Sequence, residues 1–86
     1  MKTDYRKLES DLKELLGLMI DFTDHEVSEV EHFLNVGEYG LAFETLCGIV
    51  KEEVRTVSTD GLTMIKELAE RMEIDSSWWY DIVQKE

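Results

Sequence analysis

An all-α fold, a single small bundle of about five helices with a central apolar third helix, is what the sequence predicts. Three observations predict it. Apolar residues recur at the three-and-four spacing of amphipathic helices through most of the chain, and no period-two run has a partner with which to pair. Helix-start and helix-stop residues fall between those segments: Thr23 with Glu26, Gly37, Ser58 or Thr59, and Asp75 to Ser77. The stretch Tyr39 to Val50 carries Leu41, Ala42, Phe43, Leu46, Cys47, Ile49 and Val50, so it is apolar over most of its circumference, as a central helix is.

Taken in order, the first helix is expected from about Thr3, its cap, to Ile20, with Leu8, Leu12, Leu15, Leu16 and Met19 on one stripe. Asp21 to Asp24 makes a turn. Thr23 and Glu26 match the capping box, in which a hydroxyl and a carboxylate each accept an otherwise unpaired N–H; they open a second helix that lasts to about Val36. Val27, Val30, Phe33 and Leu34 form its buried stripe. Gly37 is the residue that can adopt positive φ and end it. Glu38 then places a carboxylate at the positive end of the third helix, which fades near Glu53 to Thr56. A brief extended piece over Ile49 to Val57 is the alternative there. Ser58 or Thr59 caps a fourth helix carrying Leu62, Ile65, Leu68, Ala69 and Met72. A short last helix, Trp78 to about Gln84, follows the turn residues Asp75, Ser76 and Ser77.

A chain of 86 residues is expected to form one domain, residues 1–86, burying about 60% of its unfolded surface. The lone cysteine, Cys47, excludes an intrachain disulfide and sits in the most apolar segment, where it reads as a buried structural thiol. No stretch resembles a signal peptide or a membrane span, and a reducing, cytoplasmic location is expected. Charge is the strongest compositional fact. The chain has nine basic and twenty acidic residues, a net charge of −11, and residues 14–50 contain eight acids with no Lys or Arg. Phosphate contacts need Lys and Arg, so nucleic acid is disfavoured as a partner. A basic protein is favoured, against the simpler reading of a solvated surface that keeps the chain soluble.

His25, Glu29 and His32 share one face of the second helix, a spacing that can hold a divalent ion; without a fourth group or supporting shell, a solvated face is the simpler reading, and no metal is expected. No nucleophile–base arrangement assembles from two exposed histidines and a buried cysteine, so the chain does not read as an enzyme, and no cofactor or small-molecule substrate is expected. Asp60-Gly61-Leu62 stands at a helix start like the Asp-Ser-Leu of acyl carrier proteins, but with glycine where the prosthetic arm needs a hydroxyl. Among the C-terminal aromatics, Trp78 and Trp79 are expected to pack on the core with Ile82 and Val83. Tyr80 is left exposed, either beside a capped core or as an anchor for a partner.

The run from His25 to Val50 resembles the hallmark segment of the MafI/CdiI-type immunity proteins, in which an amphipathic helix ends in Gly-Glu-Tyr and leads into an apolar helix with Ala, an acid and Leu. The residues that carry the likeness are Val27, Val30, Phe33, Leu34, Gly37, Glu38, Tyr39, Leu41, Ala42, Glu44 and Leu46, with a weaker match over Ser58 to Ile74. The resemblance implies a non-enzymatic inhibitor in the cytosol of a toxin-producing bacterium. Its cognate partner would be the C-terminal domain of a toxin delivered in contact-dependent or secreted competition, often an RNase of the EndoU kind. The charge reading is compatible: an RNase presents a basic cleft, and Asp21, Asp24, Glu29 and Glu31 would pair with its Lys and Arg while Tyr80 anchors the rim. Gly37, Glu38, Tyr39 and Glu44 are motif residues with either a structural or a binding role. An acidic helical adaptor for some other basic protein is the alternative, since it would use the same surface.

Overall fold

The computed structural model describes residues 4–84, and within them the chain is helical with no strand. Five α-helices follow one another: α1 (Tyr5–Gly17), α2 (Asp24–Asn35), α3 (Tyr39–Glu52), α4 (Thr59–Met72) and α5 (Tyr80–Gln84), with a single 3-10 turn, Ser76–Trp78, before the last. None is long and apolar enough to cross a membrane.

Helix α3 is the centre of the packing. Six core side chains are wholly excluded from solvent, Leu15, Ala42, Phe43, Leu46, Cys47 and Ile65, and four of them belong to α3. It packs against α2 along its length and also touches α1, α5 and the 3-10 turn, while α4 lies against α1 and α5. Leu8, Leu12, Leu15 and Leu16 of α1, Val30 and Leu34 of α2, and Leu62, Ile65, Leu68 and Ala69 of α4 complete one contiguous core. No polar or charged residue is buried as a whole among the described residues, so hydrophobic burial carries the fold, although the Arg55 Nε atom is buried without a hydrogen-bond partner.

Local chemistry sets most of the boundaries. The capping box at Thr23 forms in both directions: Glu26 N–H donates to Thr23 Oγ1 (3.1 Å) and Thr23 N–H to Glu26 Oε1 (2.9 Å). Gly37 has φ +77°, and the chain reverses around it by a Schellman motif, with Glu38 N–H bonded to Phe33 O (2.9 Å) and Gly37 N–H to Leu34 O (3.2 Å). Ser58, rather than Thr59, caps α4, accepting from Gly61 N–H at 3.1 Å. Gly61 is buried, and a Cβ there would lie 2.8 Å from Val57 Cγ1, so this position faces inward and has no room for a hydroxyl-bearing arm.

Several expectations need correction. Thr3 lies outside the described residues, and the cap of α1 is Asp4, whose carboxylate accepts from Lys7 N–H (3.2 Å). Helix α1 stops at Gly17, not Ile20. Glycine is a poor helix former, and the turn after it drops Met19 and Phe22 into the core while Ile20 swings out, 88% exposed. Glu38 is the N-cap residue of α3 but makes no side-chain cap bond, so it contributes charge near the helix dipole and nothing more specific. The two tryptophans do not both pack. Residues 76–78 wind as a 3-10 turn and the backbone breaks at Trp79 before α5, which sends the indoles in different directions. Trp79 packs on the core and donates Nε1–H to Ile74 O (3.2 Å), whereas Trp78 is 37% exposed.

Two helix ends use the left-handed conformation without glycine: Glu73 (φ 56°) after α4 and Val54 (φ 53°) after α3. Arg55 N–H still reaches Val50 O (3.0 Å) to close the α3 terminus. A β-branched residue there is strained by roughly 1–2 kcal/mol.

Three substitutions test this fold by thermal or denaturant melts. Leu46→Ala should cost about 2–5 kcal/mol, and a harmless result would make α3 peripheral. Gly37→Val and Val54→Gly should move in opposite directions: the first destabilises by about 1 kcal/mol or more and the second stabilises by about 0.5–1 kcal/mol, because each exchanges the same backbone strain. Equal signs would contradict the left-handed geometry at one of the two turns.

Candidate partner-binding groove

The acids of residues 14–50 do not form one surface. Some are used inside the molecule. Asp21 Oδ2 accepts from Thr56 N–H (2.9 Å), and Glu26 Oε2 accepts from Arg55 Nη2 (2.9 Å), so two acids tie the α1–α2 turn and the start of α2 to the α3–α4 connection. Arg55 holds the Glu26 carboxyl below its usual range, helped by the Thr23 backbone N–H. A matching tie joins α1 to α4, where Arg71 Nη2 lies 2.7 Å from Asp11 Oδ2, with Lys7 at 3.3 Å from the same oxygen. The Asp11 carboxyl is held low chiefly by the Arg71 contact.

The remaining expected contact residues point in different directions. Asp24 is exposed in the first turn of α2, where it complements the helix dipole. Glu31 lies on the flank of α2 that faces α1, across a depression shared with Lys13. Glu29 lies on the other flank, toward α3. Tyr80 is 51% exposed at the start of α5, its ring edge-on to Trp79 with centroids 6.4 Å apart. Asp21, Asp24, Glu29, Glu31 and Tyr80 are thus not assembled in one place.

The motif residues divide as well. Gly37 makes the reversal described above. Tyr39 is half-buried and belongs to the α1–α3 contact: its hydroxyl donates to Glu9 Oε1 (3.1 Å) and its ring stacks on Tyr5 with centroids 6.0 Å apart. Lys13, at 3.0 Å, and then the Tyr39 hydroxyl hold the Glu9 carboxyl low, while desolvation raises Tyr39. Glu38 is exposed. Glu44 is half-buried and faces the same gap as Glu29.

That gap is a groove of about 440 Å³ between α2, α3 and the 3-10 turn. Its walls carry the carboxylates of Glu26, Glu29, Glu44, Glu52 and Glu53 together with His25, and no Lys or Arg lines it. Thr45 and Gly48 lie between the acids along α3, and a Cβ on Gly48 would meet nothing within 4 Å. Leu41, 46% exposed, and Trp78 supply apolar surface. Trp78 is kept beside α3 because Lys51 Nζ donates to Ser77 O (2.9 Å) and Asp75 Oδ1 accepts from Ser77 N–H (2.8 Å). Among the described residues, Glu29, Glu44, Glu52 and Glu53 make no ion pair.

Glu52, Glu53, Leu41 and Trp78 were not among the contact residues expected from the sequence. The α3 residues had a signal: Leu41, Thr45, Gly48 and Glu52 recur at four, three and four positions, which is the strip of α3 left uncovered by its neighbours. Trp78 had none, because its direction depends on the 3-10 turn.

Chemically, this groove can bind cations and present apolar surface. Cys47 is no nucleophile, since burial pushes its thiol up to about 12. No three His, Cys, Asp or Glu side chains among the described residues are grouped to hold a metal ion, and His32 instead meets Phe33 edge-on, 5.3 Å between centroids.

No family model, curated protein or solved structure matches this chain. The likeness to immunity proteins therefore rests on the motif residues from His25 to Val50 and the weaker match over Ser58 to Ile74.

The internal ion pairs give a pH prediction. Glu26 and Asp11 have folded pKa values below their unfolded ones, so their contribution is fully present above the ordinary carboxylate range and is lost as pH falls through the lowered values. Glu26→Gln keeps a side chain able to complete the capping box but removes the charge facing Arg55. Its melting temperature should fall short of wild type at neutral pH, with the gap closing in acid. A gap of constant size down to the acid transition would show that the ion pair adds nothing.

Proposed function

We propose that this chain is an immunity protein: a non-enzymatic inhibitor that binds a cognate bacterial toxin domain, a nuclease of the EndoU-like RNase type, and covers its basic cleft. The observation that carries this reading is the α2–α3 groove, in which the four carboxylates of Glu29, Glu44, Glu52 and Glu53, none in an ion pair among the described residues, flank apolar surface from Leu41 and Trp78. A cleft that binds RNA must concentrate Lys and Arg to meet phosphate, and an acidic concave face with apolar surface is complementary to basic side chains projecting from such a cleft. The net charge of −11 adds long-range attraction that speeds encounter. The Gly-Glu-Tyr resemblance supplies the particular class of partner. Inhibition by occlusion needs no chemistry from the inhibitor and places it in the cytosol, where the toxin would act.

Co-expression with the C-terminal domain of a toxin encoded directly upstream is the decisive experiment: growth should be rescued, and a stoichiometric complex should copurify. Failure to rescue, with tight binding to an unrelated basic protein instead, would favour the adaptor.

Within the complex, the groove acids should dominate association. Changing Glu29, Glu44, Glu52 and Glu53 to Gln should slow stopped-flow association at low salt by about tenfold or more, and the gap should narrow near physiological ionic strength, where the Debye length is about 8 Å. Glu31→Gln, on the opposite flank of α2, should have little effect. Equal slowing by both sets would mean that only net charge matters and that the groove is not the contact.

A further inference from the structure

We infer that the groove is built for an arginine of the partner, with Trp78 and the α3 carboxylates as its two points of recognition. This rests on the reading that the groove receives a basic protein, and it specifies which basic side chain.

The reasoning starts from what lines the groove. Carboxylates alone already favour arginine modestly, because its planar fork can pair bidentately where lysine is a point charge. This groove adds an exposed indole to Glu29, Glu44 and Glu52, and the indole is held in place at the backbone of its own turn. A guanidinium is planar, sheds water more readily than an ammonium, and can lie against an aromatic face while its edge donates to carboxylates. An ammonium can do one or the other well, and holds its hydration shell more tightly. Leu41 and the small residues Thr45 and Gly48 leave room for an aliphatic stem to run between the helices. Arg55 already occupies the Glu26 carboxylate and Lys51 is turned to the Ser77 carbonyl, which leaves Glu29, Glu44 and Glu52 without an ion pair among the described residues.

The two tryptophans make the test direct. The indole N–H of Trp79 is bonded to Ile74 O and reports on the fold, while Trp78 reports on the groove. The probes are two capped, alanine-based helical peptides that differ only in carrying arginine or lysine at the same three positions. Titrated into isotopically labelled protein, the arginine peptide should shift the Trp78 indole signal and the amides of Glu44 and Glu52, leaving Trp79 unmoved. It should also bind about tenfold or more tightly than the lysine peptide. Trp78→Leu should cut that preference to the few-fold that bidentate carboxylate pairing alone supports, while the Trp79 signal stays in place.

Equal affinities for the two peptides, an arginine preference undiminished by Trp78→Leu, or shifts spread evenly over all exposed acids would overturn the inference. So would the absence of any Trp78 shift at millimolar arginine peptide. None of these results bears on whether the chain neutralises a toxin, which rescue by co-expression decides separately.

Discussion

Everything in this molecule is arranged around the need to cover α3. Its side chains are apolar on most sides, and Ala42, Phe43, Leu46 and Cys47 are withdrawn from water completely. Helix α2 covers one flank after the reversal at Gly37, α1 another, and α5 with the 3-10 turn a third. What is left open is the strip Leu41, Thr45, Gly48 and Glu52, with Glu44 beside it. The groove is the remainder of that packing problem. Its floor is made of small residues and its walls of carboxylates because those side chains need not be buried.

The acidic excess is divided between two jobs that follow from position. Acids at element ends and on inter-helix seams find a donor within the chain: Asp21 with the Thr56 N–H, Glu26 with Arg55, Asp11 with Arg71, Glu9 with Lys13 and Tyr39. Pairs of this exposure each add little stability, and their larger effect is to fix the relative placement of turns and helices. The acids on the groove walls, by contrast, gather like charges around a concavity, which opposes folding slightly and favours any cation that enters. Of the groove acids only Glu26 is paired, with Arg55, and Glu29, Glu44, Glu52 and Glu53 make no ion pair among the described residues.

How much of this was legible in the sequence depended on range. The capping box at Thr23, the left-handed reversal at Gly37 and the burial of α3 were readable, because each is decided by residues within one or two turns. The end of α1 was placed too late, since Met19 continues the apolar stripe although its burial comes from a turn rather than a helix. Left-handed ends at Val54 and Glu73 carry no glycine to announce them. For the site, proximity along the chain was a poor guide. Glu29 and Glu31 are neighbours in sequence and sit on opposite flanks of α2, while Glu29 and Glu44, from different helices, face one groove. Trp78 joins them only through a 3-10 turn that ordinary helical spacing does not describe.

The central claim is that the open strip of α3 is a contact surface and not merely uncovered helix. Gly48 tests it most directly, because it lies in the groove, a Cβ there has open space, and replacing a mid-helix glycine should add about 0.5–1 kcal/mol of helix stability. The measurement is the affinity of Gly48→Leu for the proposed partner, a cognate toxin domain, taken beside its melting temperature. A more stable protein that has lost partner binding by about a hundredfold or more, the loss of well over 2 kcal/mol expected when a side chain fills a docking groove, is the predicted result. A more stable protein that binds as tightly as wild type would contradict the account and move the contact surface elsewhere on the bundle.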